Sequence, residues 1–452
     1  MKTNYDWYDL LVLTGFMPQK DYQEGATLSL NNSDDSDFLD SLLEKTKAEF
    51  KRDWGLYGFS STPPKASEWF MGISELVGGM ESGSDVHAAN IEFPLNAVVM
   101  QFKRLNLSTV ESCKGFHNRH QQYGPTRYRG AYVKFLTWRG AFIAETVLKS
   151  GGYCCELDPN KRLFINEGTD GILDLGLLLN GIPDVYHYRK PLLEKRERRL
   201  MGLLEIPGAS GNEQAIGEHL MTILKNRLDS VWTDDAGNVL GELSIPGGRG
   251  NVPTLLLSAH MDVKDSSGEG KEILREKNML RRDGGILGAD DRAGIAAIIN
   301  VVDIVKQYKI GCHLKFAFTV YEEKGQIGAN AIDKSFFEGV DFAISLDRRG
   351  ENDIVVRSNN GYEYCDETQT GFITRLSKWL WNNSRYHYKP VTGGISDLVV
   401  WSQLGVPSAN LSIGYKDEHT EDEHLNLAAW HRTQDLLLDI ISYKTATASR
   451  RR

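Results

Sequence analysis

The chain has 452 residues, of which 41% are hydrophobic and 25% are charged, as in ordinary soluble globular proteins. Its formal net charge of −9 gives no general affinity for nucleic acid or for an anionic membrane. No segment is apolar for long enough to span a bilayer, and the polar first residues lack a secretory signal pattern. Five cysteines, an odd number, do not indicate a disulfide framework. The sequence therefore predicts two or three soluble domains in the reducing cytoplasm.

Residues 1–190 predict an N-terminal α+β domain of unknown role. A loop is expected at 30–37, helices at 37–54 and 96–105, strands at 131–138, 153–158 and 162–167, and a connector at 168–191. Cys113 and His117 lie in a turn like that of small bacterial domains, but Phe116 interrupts the pattern. A turn packed under the sheet is therefore preferred to a metal or reactive-thiol role. The adjacent Cys154 and Cys155 predict free thiols, because a disulfide between them would be strained.

From residue 197 to 445 the pattern changes to alternating helices and strands. The first part predicts a helix, the loop 207–212 and a second helix that Ser210 or Asn212 would cap. A hairpin is expected to turn between Asp234 and Asn238. Runs with few charges predict strands buried on both faces. These strands are expected at 254–263, 313–321, 341–347 and 406–413, and helices at 293–308, 331–339, 396–405 and 427–444. The fold class is α/β, a doubly wound and mostly parallel sheet, followed by a basic tail at 446–452.

Acidic and imidazole side chains follow the apolar runs of this region in a regular order. In a doubly wound sheet, ligands collect beyond the carboxyl ends of the strands. Imidazole and carboxylate together suit Zn²⁺, and Co²⁺ and Mn²⁺ also accept them. The sequence thus predicts a place for two divalent metals. The side chains concerned are His260 and Asp262 in LLLSAHMDVKD, Asp290 and Asp291 in LGADDRAG, Glu322 and Glu323 in FTVYEEKGQIGA, Asp347 in LDRRG, and His419 in EHTEDEH.

These motifs resemble those of the co-catalytic di-zinc exopeptidases. That group includes peptidase T-like tripeptidases, glutamate carboxypeptidases and leucyl aminopeptidases of the Vibrio type, and the resemblance covers about residues 197–445. It implies a zinc-dependent hydrolase that cleaves a peptide bond with metal-activated water. It also implies a role for each motif residue. The metal ligands would be His260, Asp290 as the bridge, Glu323, Asp347 and His419; Glu322 would be the general base, and Asp262 would orient the ring of His260.

Several assignments leave an alternative open. Asp291 could be the bridge in place of Asp290, although Asp290 is preferred, and their peptide bond is often strained or cis in the group. His424 is the alternative to His419 as the last ligand. His419 is preferred because His-Thr followed by an acidic residue is the usual motif of the group at this ligand. Asp397 is interpreted as a helix cap near the site.

The residue that stabilises the oxyanion is left open. Position alone suggests four candidates, none of which is preferred. They are Arg348, Arg349, Tyr415 and His424.

The spacing departs from the branches of the group that carry a lid domain. Asp347 and His419 are separated by 72 positions, and His260 and Asp290 by 30, so neither interval holds an inserted domain. A catalytic domain without a lid resembles the single-domain aminopeptidases. Substrate contacts would then come from elsewhere, and the N-terminal domain is the expected donor.

The sequence therefore predicts an aminopeptidase that acts on a peptide or an amino-acid conjugate. A carboxypeptidase or an N-acyl amino acid amidohydrolase is the alternative, which an Arg pair facing the site would favour. A non-catalytic binding protein on a peptidase fold is the rival from another class. No nucleic-acid or membrane partner is expected, and association into a homo-oligomer is compatible with the sequence.

Overall fold

The computed structural model of the chain describes residues 5–21, 25–30, 33–59, 62–76, 91, 93–113, 131–247, 252–364 and 388–448. The chain divides into two units, Met1–Lys190 and Pro191–Arg452. Over the described ranges, the helices fall short of the length and apolar character needed to cross a membrane. His117, residues 365–387 between Asp347 and His419, and the end of the basic tail lie outside these ranges.

The N-terminal unit contains two antiparallel four-stranded sheets with helices, as expected of an α+β domain. The strand orders are β1-β2-β4-β3 and β5-β6-β8-β7. The helices are α1 (Trp7–Thr14), α2 (Ser33–Thr46), α3 (Ala66–Leu76), α4 (Leu95–Arg104), α5 (Trp138–Ser150) and α6 (Thr169–Asn180). The strands are β1 (Gln19–Asp21), β2 (Gly25–Ser29), β3 (Lys51–Asp53), β4 (Leu56–Phe59), β5 (Thr109–Cys113), β6 (Ala131–Phe135), β7 (Cys155–Leu157) and β8 (Arg162–Ile165).

The loop and the helix predicted at 30–54 were wrong in extent. The helix α2 begins at Ser33, inside the expected loop, and ends at Thr46 because residues 51–53 pair with β4 instead. The residues of the expected connector, 168–191, contain α6 and the start of α7 (Tyr186–Leu204), a helix that continues past the boundary at Lys190. Cys113 is buried at the end of β5, and the thiols of Cys154 and Cys155 are free.

The C-terminal unit is built on one eight-stranded sheet and one small sheet. Its helices after α7 are α8 (Gln214–Leu224), α9 (Ala289–Gln307), α10 (Ile327–Ala331), α11 (Leu398–Gln403) and α12 (Leu427–Ala448). Short 3₁₀ turns span Glu322–Lys324 and Lys334–Phe337. The strands are β9 (Ser230–Thr233), β10 (Val239–Ile245), β11 (Thr254–His260), β12 (Ile273–Glu276), β13 (Met279–Arg282), β14 (Cys312–Thr319), β15 (Val340–Arg348), β16 (Asp353–Ser358), β17 (Lys389–Gly393), β18 (Ser408–Ser412), β19 (Tyr415–Lys416) and β20 (His424–Asn426).

The large sheet has the order β17-β16-β18-β15-β11-β14-β10-β9. Its centre is parallel, since β11 runs parallel to both β14 and β15, and β15 runs parallel to β18. The hairpin β9–β10 joins β14 antiparallel at one side, and β16 meets β18 antiparallel at the other. The predicted fold class is confirmed, with these antiparallel strands as additions to a parallel centre.

Helix α9 crosses the parallel centre of the sheet in close contact with it. Nearly the whole helix is buried, and Trp430 of α12 donates a hydrogen bond from Nε1 to the carbonyl of Ala293 at 2.9 Å. A Cβ atom on Gly294 would lie 2.6 Å from the carbonyl oxygen of Leu346 in β15. Only glycine therefore allows α9 to approach the strand this closely.

Two local predictions for this unit were wrong. The stretch 331–339 is not an α-helix, since it holds only the 3₁₀ turn Lys334–Phe337 after the short α10. Neither Ser210 nor Asn212 caps α8, which begins after Glu213 without a side-chain cap. The hydroxyl of Ser210 is used elsewhere, as described below.

Candidate metal centre

The centre lies where three neighbouring parallel strands end. His260 is the last residue of β11 and pairs with Thr319, the last residue of β14. Glu322 follows β14 after a short turn, and Asp347 lies near the end of β15, on the other side of β11. Parallel strands bring their carboxyl ends to one edge of a sheet, so these side chains converge although they are distant in sequence.

The carboxylate of Asp290 lies between two imidazoles. Its Oδ1 is 2.9 Å from Nε2 of His260, and its Oδ2 is 3.2 Å from Nε2 of His419. Nε2 of His419 is also 2.6 Å from Oε1 of Glu323, and Nε2 of His260 is 3.7 Å from Oδ1 of Asp347. Each oxygen of Asp290 thus faces a different imidazole, which is the arrangement expected of a carboxylate shared by two cations.

Asp291 is arranged differently from Asp290. The peptide bond between them is cis. Asp291 is fully buried, and its oxygens accept hydrogen bonds from the backbone N–H of Gly294 at 3.0 Å and of His260 at 3.3 Å. The geometry therefore favours Asp290 over Asp291 as the shared ligand, while Asp291 joins the start of α9 to the end of β11.

Asp262 faces the ring of His260 with both its backbone and its side chain. Nδ1 of His260 is 2.9 Å from the main-chain carbonyl oxygen of Asp262 but 3.5 Å from its carboxylate. The carboxylate also accepts the backbone N–H groups of Glu322 at 3.0 Å and Glu323 at 3.2 Å. It also accepts the hydroxyl of Ser210 at 2.6 Å. The side chain of Asp262 therefore holds the Glu-Glu turn, while its carbonyl oxygen and its carboxylate both face Nδ1 of His260.

Glu322 is a buried carboxylate beside the candidate ligands. Its side chain accepts a hydrogen bond from Nε2 of Gln326 at 3.0 Å. Burial, helped by the negative charges of Asp347 and Asp397, raises the pKa of Glu322 well above its ordinary value. A carboxyl group with a raised pKa accepts a proton more readily than an ordinary carboxylate does.

The carboxylates around the two imidazoles raise the pKa of both histidines. Hydrogen bonds to Asp290 and Glu323 raise the pKa of His419 to about 10. Burial alone would lower the pKa of His260, but the surrounding carboxylates raise it well above its ordinary value. The surrounding carboxylates therefore favour positive charge at the centre of the cluster.

This donor set fits divalent metal ions. Single donor atoms of His260, Asp291 and Asp347 lie within 4.8 Å of one another, and so do those of His260, Asp290 and Glu323. Imidazole nitrogen and carboxylate oxygen are ligands of Zn²⁺, and the imidazoles bind the ion in their neutral form. The chemistry of these residues therefore suits the divalent metal ions that the sequence implied.

The structure separates His419 from its rival. His424 lies in β20, where its Nδ1 is 3.0 Å from the carbonyl oxygen of Asp422 and 3.5 Å from the carboxylate of Asp417. Neither Asp417 nor Asp422 is among the candidate ligands. His419, on the loop before it, is the histidine that meets Asp290 and Glu323.

Three of the four candidates for stabilising the oxyanion form a hydrogen bond or an ion pair with a carboxylate. The hydroxyl of Tyr415 donates to Oδ1 of Asp347 at 3.1 Å, so it supports a candidate ligand. The guanidinium groups form ion pairs, Arg348 with Asp353 at 3.4 Å and Arg349 with Glu418 at 2.8 Å.

Asp397 does not cap its helix. It precedes α11, but its side chain makes no capping hydrogen bond and instead accepts the hydroxyl of Thr319 at 2.5 Å. Burial, with the charges of Asp347 and Asp262 contributing, raises the pKa of Asp397 to about 7. The expected cap was therefore wrong, and Asp397 lies under the strand ends of the site.

Two supporting residues escaped sequence reasoning. Asn410 of β18 brackets Asp347, accepting its N–H at 2.9 Å and donating to its carbonyl at 2.6 Å. Glu423 accepts N–H groups at the start of α9. Glu423 was visible in EHTEDEH, but nothing in that motif indicates a partner more than one hundred residues away.

Comparison with known proteins agrees with this architecture. The family profile described as M42 glutamyl aminopeptidase matches residues 281–436, about one third of the chain. An uncharacterised protein, YqjE of Bacillus subtilis, is 35% identical over 118 residues, covering 26% of this chain and 30% of that protein. Peptidase T of Clostridium acetobutylicum is 32% identical over 168 residues, covering 29% of this chain and 40% of that protein. The matches thus span well under half the length of these relatives.

A solved structure shares the fold. The aminopeptidase PepT of Bacillus cereus aligns with a TM-score of 0.51 at 19% identity, covering 56% of this chain and 99% of that chain. At this identity the likeness shows the fold alone. Together with the sequence matches, it confirms the resemblance to the zinc exopeptidase group that the motifs indicated.

Proposed function

We propose that the chain is a metal-dependent peptide hydrolase, and specifically an aminopeptidase. The observation that carries this proposal is the carboxylate of Asp290, whose two oxygens face His260 and His419 while the buried Glu322 lies beside them. Structural ion pairs rarely gather so many buried carboxylates around two imidazoles, because each buried charge is costly without a partner.

Two Zn²⁺ ions are the proposed cofactor, with Co²⁺ or Mn²⁺ as substitutes. His260 and Asp347 would hold one ion, Glu323 and His419 the other, and Asp290 both. When bound, such ions polarise a substrate carbonyl and lower the pKa of water. Tyr415 and Asn410 support this arrangement by fixing Asp347 through its side chain and its backbone.

Glu322 is the proposed general base. Its carboxylate would take a proton from the attacking water and deliver it to the nitrogen of the departing amine. Asp262 accepts the backbone N–H of Glu322, and Gln326 donates to its Oε1, so Glu322 is fixed through both its backbone and its side chain.

The ion pairs of the arginines favour the aminopeptidase over its enzymatic alternative. A carboxypeptidase or an N-acyl amino acid amidohydrolase needs a free cation for the substrate carboxylate. Arg348 and Arg349 instead pair with Asp353 and Glu418. A non-catalytic binding protein would have no use for a buried glutamate at the position of Glu322.

The test compares the wild type with Glu322→Gln. Metal content is measured, together with hydrolysis of aminoacyl and N-acyl substrate panels. We expect two zinc ions in both proteins, turnover on the aminoacyl panel, and a loss of roughly 10²- to 10⁴-fold in kcat for Glu322→Gln. The exposed Glu338→Gln is the matched control and should leave kcat unchanged.

Two bound zinc ions without turnover on any panel, and no effect of Glu322→Gln, would overturn the enzymatic proposal. Turnover confined to N-acyl substrates would instead favour the amidohydrolase. A reducing, cytoplasmic location and association into a homo-oligomer stay predictions. Free thiols at Cys113, Cys154, Cys155 and Cys312 are compatible with such a location.

A further inference from the structure

Glu423 is a buried carboxylate that the proposed chemistry does not use. It is 1% exposed and lies four positions after His419. Its Oε2 accepts the backbone N–H of Gly288 at 2.8 Å, and its Oε1 accepts that of Asp290 at 3.1 Å. A single side chain from the His419 loop therefore holds the turn that presents Asp290.

The loop that carries Glu423 is tightly connected back to His419. The N–H of Glu423 donates to the carbonyl of Thr420 at 3.2 Å, and the hydroxyl of Thr420 donates to the carbonyl of Asp417 at 2.6 Å. On the other side of Glu423, β20 begins and pairs with β13. The loop is thus fixed at both ends, and its buried residue Glu423 contacts the start of α9.

Two candidate ligands are joined by this contact. Asp290 and His419 are separated by 129 positions in sequence, yet Oδ2 of Asp290 and Nε2 of His419 are only 3.2 Å apart. Hydrogen bonds from backbone groups to a buried carboxylate are charge-assisted and short-ranged, so small shifts of the loop weaken them. Loss of the contact would release both ligands from each other.

We propose that Glu423 is a positioning residue that couples His419 to Asp290, so that one of the two metal sites depends on it. The inference rests on the proposed metal centre. Glu423 contacts the elements that carry two of the three ligands at the site formed by Asp290, Glu323 and His419. The other site would be formed by His260, Asp347 and Asp290, and of these three ligands Glu423 contacts only the segment that carries Asp290. The first site should therefore be the one that weakens.

The variant Glu423→Gln tests this inference at nearly constant volume. An amide offers one oxygen acceptor, and its NH₂ group would face a backbone N–H, so the two-armed contact cannot be kept. Glu421→Gln is the matched control, because Glu421 lies on the same loop, is exposed and loses the same charge. Glu423→Asp keeps the charge but is one methylene too short to hold both N–H groups.

Binding of Zn²⁺ is measured by calorimetry on each full-length, metal-free protein, and binding of Co²⁺ by its visible absorption. We expect Glu423→Gln and Glu423→Asp to weaken one of two sites by roughly 10- to 100-fold, as changes behind metal ligands commonly do. The control should bind both ions as the wild type does. Thermal unfolding of the metal-free proteins shows whether each variant is folded before it is titrated.

The outcomes separate this inference from the proposed function. If the wild type binds no metal, the metal centre itself is wrong. If the wild type binds two ions and both Glu423 variants, folded, bind them equally tightly, only the coupling role is wrong. If Glu423→Gln does not fold, Glu423→Asp decides in the same way. Equal weakening by Glu421→Gln would also overturn the role, because charge alone would then account for the effect.

Discussion

At the scale of single residues, the carboxylate of Asp262 has more partners than its place beside His260 suggests. It accepts the N–H groups of Glu322 and Glu323 and the hydroxyl of Ser210. The two glutamates with opposed roles, one a proposed base and one a proposed ligand, are thus fixed by a single side chain. Ser210 comes from the loop before α8 and fixes that side chain in turn.

Substitution of Ser210 by alanine should reduce catalysis without preventing folding. The hydrogen bond to a charged partner contributes about 1.5 to 3 kcal/mol, so kcat/KM should fall roughly 10- to 100-fold. Steady-state kinetics on the aminoacyl substrate measures the effect. Ser402→Ala, which removes a hydroxyl bonded to the carbonyl of Val399, is the control and should leave kcat/KM near the wild-type value. An unchanged kcat/KM for Ser210→Ala would show that Asp262 needs no such support.

The sequence predicted the residues that lie at strand ends but not those that hold them. His260, Glu322 and Asp347 follow apolar runs, and a buried parallel sheet has a recognisable pattern. Ser210 and Glu423 hold these residues across long sequence separations, and their local motifs resemble a helix cap and a solvated acidic loop. The pairing that gives them their roles exists only after folding.

At the scale of secondary structure, the contact between α9 and β15 depends on Gly294, which has no side chain. A Cβ on Gly294 would lie 2.4 Å from Oδ1 of Asp291 as well as 2.6 Å from the carbonyl of Leu346. Neither neighbour can move freely. Asp291 is bound to the N–H of Gly294 itself, and Leu346 precedes the candidate ligand Asp347.

Gly294→Ala should therefore destabilise the protein although alanine is the better helix former. Crowding in a packed core costs about 1 to 3 kcal/mol, which exceeds the gain of about 1 kcal/mol in helix propensity. Urea unfolding of the metal-free protein measures the change as a lower midpoint at constant slope. Gly202→Ala in α7, where no atom lies within 4 Å of the added Cβ, should be neutral or stabilising. Equal stability of both variants would contradict the close approach.

Element positions were predictable where hydrophobic periodicity was strong. The central strands β11, β14 and β15 and the helices α9 and α12 lie where their patterns placed them. The helix predicted at 331–339 was wrong because a short 3₁₀ turn also buries the adjacent side chains of Phe336 and Phe337. Their hydrophobic pattern therefore does not distinguish this turn from an α-helix. Residues 51–53 failed because pairing with β4 overrode a helical composition.

At the scale of the whole molecule, the proposed metals link stability to their concentration. Ions that bind only the folded chain add RT ln(1 + [L]/Kd) per site, about 2.7 kcal/mol when free zinc is a hundred times Kd. Adding Zn²⁺ to the metal-free protein should therefore raise Tm in a concentration-dependent way. His419→Ala should show a smaller rise. Calcium, which prefers six to eight oxygen ligands, is the control and should shift Tm little. A Tm that does not change with zinc concentration would contradict the proposed metal centre.

The parallel centre of the large sheet has a kinetic consequence. β11, β14 and β15 are neighbours in space, but tens of residues separate them along the chain, and each pairing must close a long loop before it gains contacts. Collapse and local helix formation can precede that step, whereas the meeting of His260, Glu322 and Asp347 cannot. After dilution from denaturant, the return of zinc binding should lag behind the return of helical signal. The centre thus reports the completion of folding, not its beginning.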